Sequence, residues 1–275
     1  MTQQSSYHVH SLFSDGRQTI LEIVQGAVDL GLKRIGISDH FVYPSSGRKV
    51  CWSMALEDLD TYFEQLSRAR ETFGDAIDVR FGLECDFEPD TADSLADILQ
   101  RYPLDYVIGS MHFLGDFPID DRREHWDRLS QEERDNVMRR YWRRMADLAR
   151  SGLFDFVGHI DLCKKFGHQP SVDLSPEIDT ALEAIAESGI AVEVNTSGLF
   201  MPVREAYPSP AILRKCRERD VPVLITADAH SVADLTRRFD EGIRLVLEAG
   251  YSHLAEFERR SMRFIPLAGV SESRT

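Results

Sequence analysis

The chain has 275 residues, of which 43% are hydrophobic, so it is long and apolar enough to bury a sizeable core. Acidic residues outnumber basic ones by 46 to 32, and the net charge of −14 disfavours a nucleic-acid partner. The first residues lack the basic and apolar regions of a signal peptide, no apolar run approaches about 18 residues, and no C-x-x-C pair occurs among Cys51, Cys85, Cys163 and Cys216. We therefore expect a cytoplasmic protein with neither a membrane span nor a disulfide framework.

Short β-rich runs alternate with longer amphipathic runs along the chain. Seven β-rich runs, each followed by a helical pattern, are SYHVHSLF, KRIGISDH, VRFGLECDF, DYVIGSMHF, DFVGHIDL, IAVEVNTS and VPVLITADAH. A last apolar run, RFIPL, predicts an eighth short strand. No low-complexity linker interrupts the alternation, so we predict one domain over residues 1–275. Seven or eight parallel βα units favour an irregular (β/α) barrel over an open doubly wound sheet, and both architectures place sites at the carboxyl ends of the strands.

The run LSPEIDTALEAIAESG is typical of a helix packed on such a sheet. Ser175 is a good N-cap, and Gly189 can close the helix in a left-handed conformation. One face carries the apolar residues, which are Ile178, Ala181, Leu182 and Ile185. The run YPSPAILRKCRERD repeats this Ser-Pro opening at Ser209.

Metal-ligand residue types concentrate in or just after six of the seven predicted strands. Successive strand residues alternate faces, so His8 and His10 point the same way, as do Asp228 and His230. A lone strand histidine is usually a core residue, but burying this many imidazoles and carboxylates together without cations would be costly. The candidate ligands are His8, His10, Asp15, His40, Glu84, His112, His159, Asp228 and His230.

This set is too large for one ion. A single zinc uses about three or four protein ligands, so the set implies two or three ions, with Glu84 as the natural bridging carboxylate. Imidazole and carboxylate donors suit Zn, Mn or Fe. Clusters of this kind serve hydrolysis, and phosphate esters match the charge that several metal ions can stabilise.

Seven motifs in this chain resemble, in order and spacing, those of the polymerase and histidinol phosphatase (PHP) superfamily. They are HVHSLFSDG, ISDH, GLECDF, GSMHF, GHIDLCKKFG, VEVNTSGL and TADAH, and the similarity runs from about residue 6 to residue 250. The phrases GSMHFLGDFPIDD and EVNTSGLFMPVREAYPS look most like the histidinol-phosphate phosphatase branch.

The resemblance implies a distorted, TIM-like (β/α)7 barrel with three divalent metal ions, Zn, Mn or Fe. One ion would take His8, His10, Glu84 and Asp228; a second Glu84, His112 and His159; and the third Asp15, His40 and His230. It also implies a phosphoric monoester hydrolase that acts on L-histidinol phosphate in histidine biosynthesis, with a hydroxide bridging two ions as the attacking group. Among these ligands, we take Glu84, Asp228 and His230 as the candidate catalytic residues.

The phosphate-binding side chains follow the family pattern less closely. Relatives commonly carry basic residues just after NTSGL, where this chain has Phe200 and Met201, and the nearest cation there is Arg204. We predict substrate binding by Arg204, Lys164 and Lys165, of which the lysines follow the fifth strand. Acidic residues in the loop after His112 could meet a cationic amine of the substrate; they are Asp116, Asp120 and Asp121.

Two other functions remain open from the sequence. One is a PHP-family phosphoesterase that cleaves a nucleotide or another small phosphate ester. The other is a non-catalytic barrel whose ions only bind or stabilise. In all three cases the expected partner is small, because the acidic charge balance disfavours nucleic acid.

Overall fold

The computed structural model describes residues 4–43, 47 and 49–267. In chain order, its strands are β1 (Ser5–Ser6), β2 (Arg34–Ile37), β3 (His40–Phe41), β4 (Asp78–Asp86), β5 (Tyr106–Ser110), β6 (Phe113–Leu114), β7 (Phe117–Pro118), β8 (Phe156–Val157), β9 (Ala191–Asn195), β10 (Val223–Thr226), β11 (His253–Glu258) and β12 (Ser261–Pro266). Its α-helices are α1 (Ile20–Asp29), α2 (Leu59–Phe73), α3 (Ala92–Leu99), α4 (Arg123–Asp127), α5 (Gln131–Arg150), α6 (Ser175–Ser188), α7 (Pro210–Glu218) and α8 (Phe239–Glu248). Within these described ranges, no helix combines the length and the apolar character needed to cross a bilayer.

The main sheet is parallel and runs in the order β1-β2-β4-β5-β8-β9-β10, with β3 also paired to β4. Because β2 and β3 pair with successive parts of β4, they act as one interrupted strand of the barrel. Counted in this way, the barrel has seven strand positions, here called staves. The ring closes just beyond β1 and β10, where His10 N donates to Ala229 O at 2.9 Å and Ala229 N donates to His8 O at 3.0 Å. The predicted distorted (β/α)7 barrel is confirmed.

The RFIPL run does not add a barrel strand. Its residues 263–266 belong to β12, which pairs antiparallel with β11 in a separate hairpin. The turn between them contains Arg259 and Arg260, both with positive φ (49° and 60°), the backbone that a tight hairpin turn requires. The prediction of a strand was therefore right, and its place in the barrel was wrong because a short turn returns the chain onto its neighbour.

The two Ser-Pro helices begin differently. At α7 the prediction is confirmed, because Ser209 Oγ accepts from Ile212 N. At α6 the predicted cap is wrong by one residue: Leu174 is the N-cap, and Ser175 N donates instead to the carboxylate of Asp173 at 2.9 Å. Gly189 ends α6 with φ 68°, as predicted.

The interior of the barrel is aromatic where the strands begin. The Tyr106 ring lies 5.7 Å from that of Phe156, which lies 5.3 Å from that of Phe257 in the β11–β12 hairpin. A Cβ at Gly82 would collide with the Tyr106 ring, so this strand position requires glycine. The hairpin thus covers the end of the barrel opposite the candidate ligands.

Candidate metal centre

The nine candidate ligands lie together at the carboxyl end of the barrel. Parallel strands bring their carboxyl ends to one edge, so residues from six staves converge there despite their separation in the sequence. His8 and His10 follow β1, His40 begins β3, Glu84 is in β4, His112 follows β5, His159 follows β8, Asp228 and His230 follow β10, and Asp15 lies in the loop after β1. The structure thus brings the nine residues together at this end. The role of each residue as a metal ligand stays a prediction.

Glu84 occupies the middle of this group. Its Oε2 lies 2.6 Å from His40 Nδ1 and 3.1 Å from His8 Nε2, while its Oε1 lies 3.0 Å from His159 Nε2. Burial alone would raise the pKa of Glu84, but the facing imidazoles of His8, His40 and His112 hold it well below the ordinary value. Glu84 is therefore ionised at neutral pH and offers both oxygens to the surrounding donors.

A second carboxylate, Asp228, lies beside His8 and His10, the two histidines that follow β1. Its Oδ1 lies 3.2 Å from His10 Nε2 and 3.6 Å from His8 Nε2. Burial lowers the pKa of His10 to about 3, with added repulsion from His40 and His230, so His10 is neutral and available as a ligand.

Asp15 completes the outer part of the group. Its Oδ1 lies 3.1 Å from His230 Nε2 and 3.6 Å from His40 Nε2. Burial would raise its pKa, but the hydrogen bond with His230 and the charge of His40 lower it to about 2. Asp15 is therefore also an ionised carboxylate, and it faces the imidazoles of His40 and His230.

Four sets of donor atoms lie within 4.8 Å of one another, close enough for each set to surround a cation. They are His10, Asp15, His40 and His230; His8, His10 and Asp228; His8, Glu84 and His159; and His40, Glu84 and His112. The grouping that the family resemblance implies differs slightly: it adds Glu84 to the set of Asp228, and it leaves His10 out of the set of Asp15. Around Glu84, His8 and His40 lie nearest Oε2, whereas His159 Nε2 (3.0 Å) and His112 Nε2 (3.6 Å) both lie nearest Oε1, as a site shared by these two histidines would require.

The donor atoms fit metal ions because several are buried close to one another yet make no well-aligned hydrogen bond. His8 Nε2, both ring nitrogens of His10, His40 Nδ1 and Glu84 Oε2 are buried without a hydrogen bond in the described part of the chain. Leaving such atoms unsatisfied costs about 1–3 kcal/mol each. A cation between them would satisfy several at once, as in sites built from imidazole and carboxylate.

Two supporting carboxylates were missed from the sequence. Glu193 accepts from His8 Nδ1 (2.8 Å) and His159 N (2.6 Å), and Asp86 accepts from His112 N (2.9 Å) and lies 2.5 Å from His112 Nδ1. These contacts fix each ring so that Nε2 faces the centre. Strand alternation was the available signal for Asp86, which shares a face with Glu84 two positions earlier.

The centre lies at the bottom of a cavity of about 410 Å³. Its walls carry cations, carboxylates and aromatic rings, including Arg17, Lys165, Arg237, Asp120, Asp121, Asp234, Trp52, Phe113 and Tyr207. The Trp52 ring lies 4.7 Å from that of His40, so the aromatic wall directly adjoins the predicted metal ligands.

Of the three predicted substrate-binding cations, only Lys165 lines this cavity among the described residues. The Lys164 ammonium is held outside it by Asp161 at 3.0 Å and Glu205 at 2.6 Å. Arg204 is exposed at a turn with φ 54°. Arg17 and Arg237, which do line the cavity, were missed because each lies in a loop, where no periodic pattern reports the direction of a side chain.

A parallel barrel with clustered histidines and carboxylates at the carboxyl ends of its strands is typical of metal-dependent hydrolases. The model of the PHP domain family matches residues 6–197. A probable histidinol-phosphatase from Deinococcus radiodurans is 36% identical over 267 residues, which cover 96% of this chain and 100% of that protein. The histidinol-phosphatase of Lactococcus lactis is 25% identical over 91% of this chain and 93% of its own length. The chain belongs to the PHP domain family.

The fold also matches a solved structure. A histidinol phosphate phosphatase from Lactococcus lactis, crystallised with zinc, L-histidinol and phosphate, superposes with a TM-score of 0.80 over 94% of this chain and 98% of that chain. The two sequences are 22% identical, so this likeness concerns the fold.

Proposed function

We propose that this chain is a phosphomonoesterase that hydrolyses L-histidinol phosphate to L-histidinol and phosphate. The observation that carries the proposal is the convergence of imidazoles and ionised carboxylates below a cavity large enough for a small ester. The 36% identical relative carries the name of a probable histidinol-phosphatase over nearly the full length of both chains, which supports this substrate.

The proposed centre holds three divalent ions, Zn, Mn or Fe, on the nine ligands. When bound, such ions lower the pKa of coordinated water and neutralise phosphoryl oxygens. The chain's own contribution is orientation and charge: Glu193 and Asp86 fix the rings of His8 and His112, while Glu84 and Asp228 stay ionised at neutral pH. Of these ligands, Glu84, Asp228 and His230 remain the proposed catalytic residues.

The cavity walls suit the leaving group. Trp52 and Phe113 stack with an interplanar angle of 5° and provide a flat surface for an imidazole ring. Asp121 lines the cavity with a half-exposed carboxylate that would attract the cationic amine of histidinol, whereas Asp120 is already paired with Lys165. The Asp121 carboxylate would repel additional phosphates, which favours this ester over a nucleoside di- or triphosphate.

The test is phosphate release by the metal-loaded protein from a panel of esters, with metal content measured in parallel. We expect kcat/KM for histidinol phosphate to exceed that for nucleoside monophosphates by at least about tenfold, because a site with placed polar groups rejects ligands that leave them unpaired. Faster release from a nucleotide would instead support the sister phosphoesterase.

A variant pair separates catalysis from simple ion binding. His159→Ala removes a ring 3.0 Å from Glu84, whereas His253→Ala removes an exposed ring at the start of β11. We expect a large loss of turnover only in the first. A folded His159→Ala protein with full phosphatase activity would defeat the enzyme proposal.

A cytoplasmic location and a single domain remain predictions.

A further inference from the structure

Arg237 is held in a fixed position at the wall of the cavity. It lies between β10 and α8, where its Nη1 donates to Asp234 Oδ1 at 3.0 Å and its carbonyl accepts from Thr196 Oγ1 at 2.6 Å. Its guanidinium carbon lies 4.4 Å from the centroid of the Phe200 ring. The contacts with Asp234 and Phe200 restrain the side chain and the contact with Thr196 restrains the backbone, so Arg237 would lose less entropy on binding a ligand.

The same guanidinium retains an unused donor. Arg237 Nε is buried and has no hydrogen-bond partner among the residues that the structure describes. A guanidinium presents five N–H donors in a planar fork, and a buried donor left unpaired costs about 1–3 kcal/mol. Nε itself is closed to a ligand, so an anion in the cavity would meet the outer N–H groups of the fork, where 25% of the side chain is exposed.

The other cavity cations are less suited to this role. The Lys165 ammonium already donates two of its three N–H groups, to Asp120 O at 2.9 Å and Asp120 Oδ2 at 3.0 Å, whereas Asp234 engages only one of the five N–H donors of Arg237. Arg17 is exposed to solvent, where screening weakens its attraction for an anion. Arg237 is three-quarters buried, with 25% of its side chain exposed.

We infer that Arg237, supported on the Phe200 ring, binds the phosphoryl oxygens of the substrate and of the phosphate product. The planar fork of arginine matches two phosphoryl oxygens, which a lysine ammonium contacts only as a point charge. In this arrangement Phe200 acts as a platform for the cation, and Asp234 orients the fork. The inference rests on the proposed phosphatase function but not on the identity of the ester.

The decisive measurement is the affinity of the metal-loaded protein for inorganic phosphate, by calorimetry and by product inhibition with whichever ester the wild type cleaves best. Arg237→Gln should weaken phosphate binding by about tenfold to a hundredfold, since hydrogen bonds to charged groups contribute about 1.5–3 kcal/mol. Its KM should rise with a smaller change in kcat, as expected for a contact present in both ground and transition states.

Three further variants make the result specific. Arg237→Lys keeps the charge and should lose less affinity than the glutamine variant, and Phe200→Leu should lose about twofold to fivefold through the missing cation–π contact. The control is Arg238→Gln, because this neighbouring side chain is about half exposed (49%) and faces Asp240 and Glu241. It should bind phosphate within about twofold of the wild type.

The inference is overturned if Arg237→Gln folds and binds phosphate as tightly as the wild type, or if Arg238→Gln weakens binding equally. Should the glutamine variant fail to fold, unchanged phosphate affinity in both Arg237→Lys and Phe200→Leu overturns it. A wild type that binds phosphate but ignores histidinol phosphate contradicts the proposed substrate alone, since the phosphate measurements still decide the role of Arg237.

Discussion

The two ends of the barrel are built from opposite chemistry. Where the strands begin, buried rings pack against one another and the β11–β12 hairpin, as Phe156 and Phe257 do. Where the strands end, buried imidazoles and carboxylates face each other, and several of their atoms have no hydrogen-bond partner among the described residues. Apolar burial stabilises the first end, whereas the second would be costly without cations. Packing at the aromatic end therefore offsets the cost of bringing the polar groups together at the other end of the ring.

The largest effect should come from the centre of the polar end. Glu84→Gln removes the carboxylate that lies within 3.1 Å of three imidazoles, and we expect turnover to fall by about 10³-fold, since metal ions contribute several kcal/mol of charge stabilisation. Phosphate release and bound metal per chain should be measured together. Glu258→Gln is the matched control at the other end, with a half-exposed side chain paired to Arg80, and should keep its activity. Equal activity in both variants would contradict the division between the ends.

The reverse test removes an aromatic ring from the other end. Phe257→Ala should lower the free energy of unfolding by about 3–5 kcal/mol, because the residue is only 2% exposed and its truncation leaves a cavity among buried rings. The kcat of the protein that remains folded should be close to that of the wild type. Denaturant unfolding measures the first quantity, and an assay below the unfolding transition measures the second.

Phe264→Ala provides the comparison for that variant. Phe264 lies in the same hairpin but is 59% exposed, so its loss should change stability by less than about 0.5 kcal/mol. If Phe257→Ala abolished metal binding in folded protein, the two ends would be coupled more tightly than the contacts indicate.

A smaller effect is expected from Glu193, which supports the centre without facing the cavity. Its two oxygens accept from four donors, namely His8 Nδ1, His159 N, Asn195 Nδ2 and Thr226 Oγ1. Glu193→Gln would place an amide NH2 against two of these donors, so we expect metal affinity or turnover to fall by about 10- to 100-fold. Metal titration of Glu193→Gln beside Glu187→Gln, an exposed position on α6, checks this. Unchanged affinity would mean that the orientation of His8 does not depend on Glu193.

The sequence predicted best those features that depend on local periodicity. Alternation along a strand placed His8 and His10 on one face, and the βα repeat placed all nine candidate ligands at one end of the barrel. It could not predict Glu193 as a support, because three of its four partners lie outside its own strand: the pairing of β8, β9 and β10 brings in His159 and Thr226, and closure of the ring brings in His8. The sequence placed the N-cap of α6 one residue too late. It does not show whether the side chain of Asp173 or that of Ser175 satisfies the first free N–H groups of the helix.

The side-chain positions of the loop cations Lys164, Lys165 and Arg237 were still harder to predict from the sequence. Lys164 and Lys165 are adjacent in sequence, yet one ammonium lies between Asp161 and Glu205 while the other lines the cavity. Nothing in the residue order distinguishes them, since the difference arises from acidic partners far along the chain. The position of the Arg237 guanidinium against the Phe200 ring likewise depends on folding that the residue order does not show.

The parallel bridge between Val9 and Ala229 joins the opening stretch of the chain to a point more than two hundred residues later, between pairs of predicted ligands. A nascent polypeptide therefore lacks Asp228 and His230 until nearly all of the barrel has been synthesised. The complete set of cations should therefore bind late in maturation, after the strands have formed a ring. Removal of the cations by a chelator should first weaken the contact between the segments that contain Val9 and Ala229.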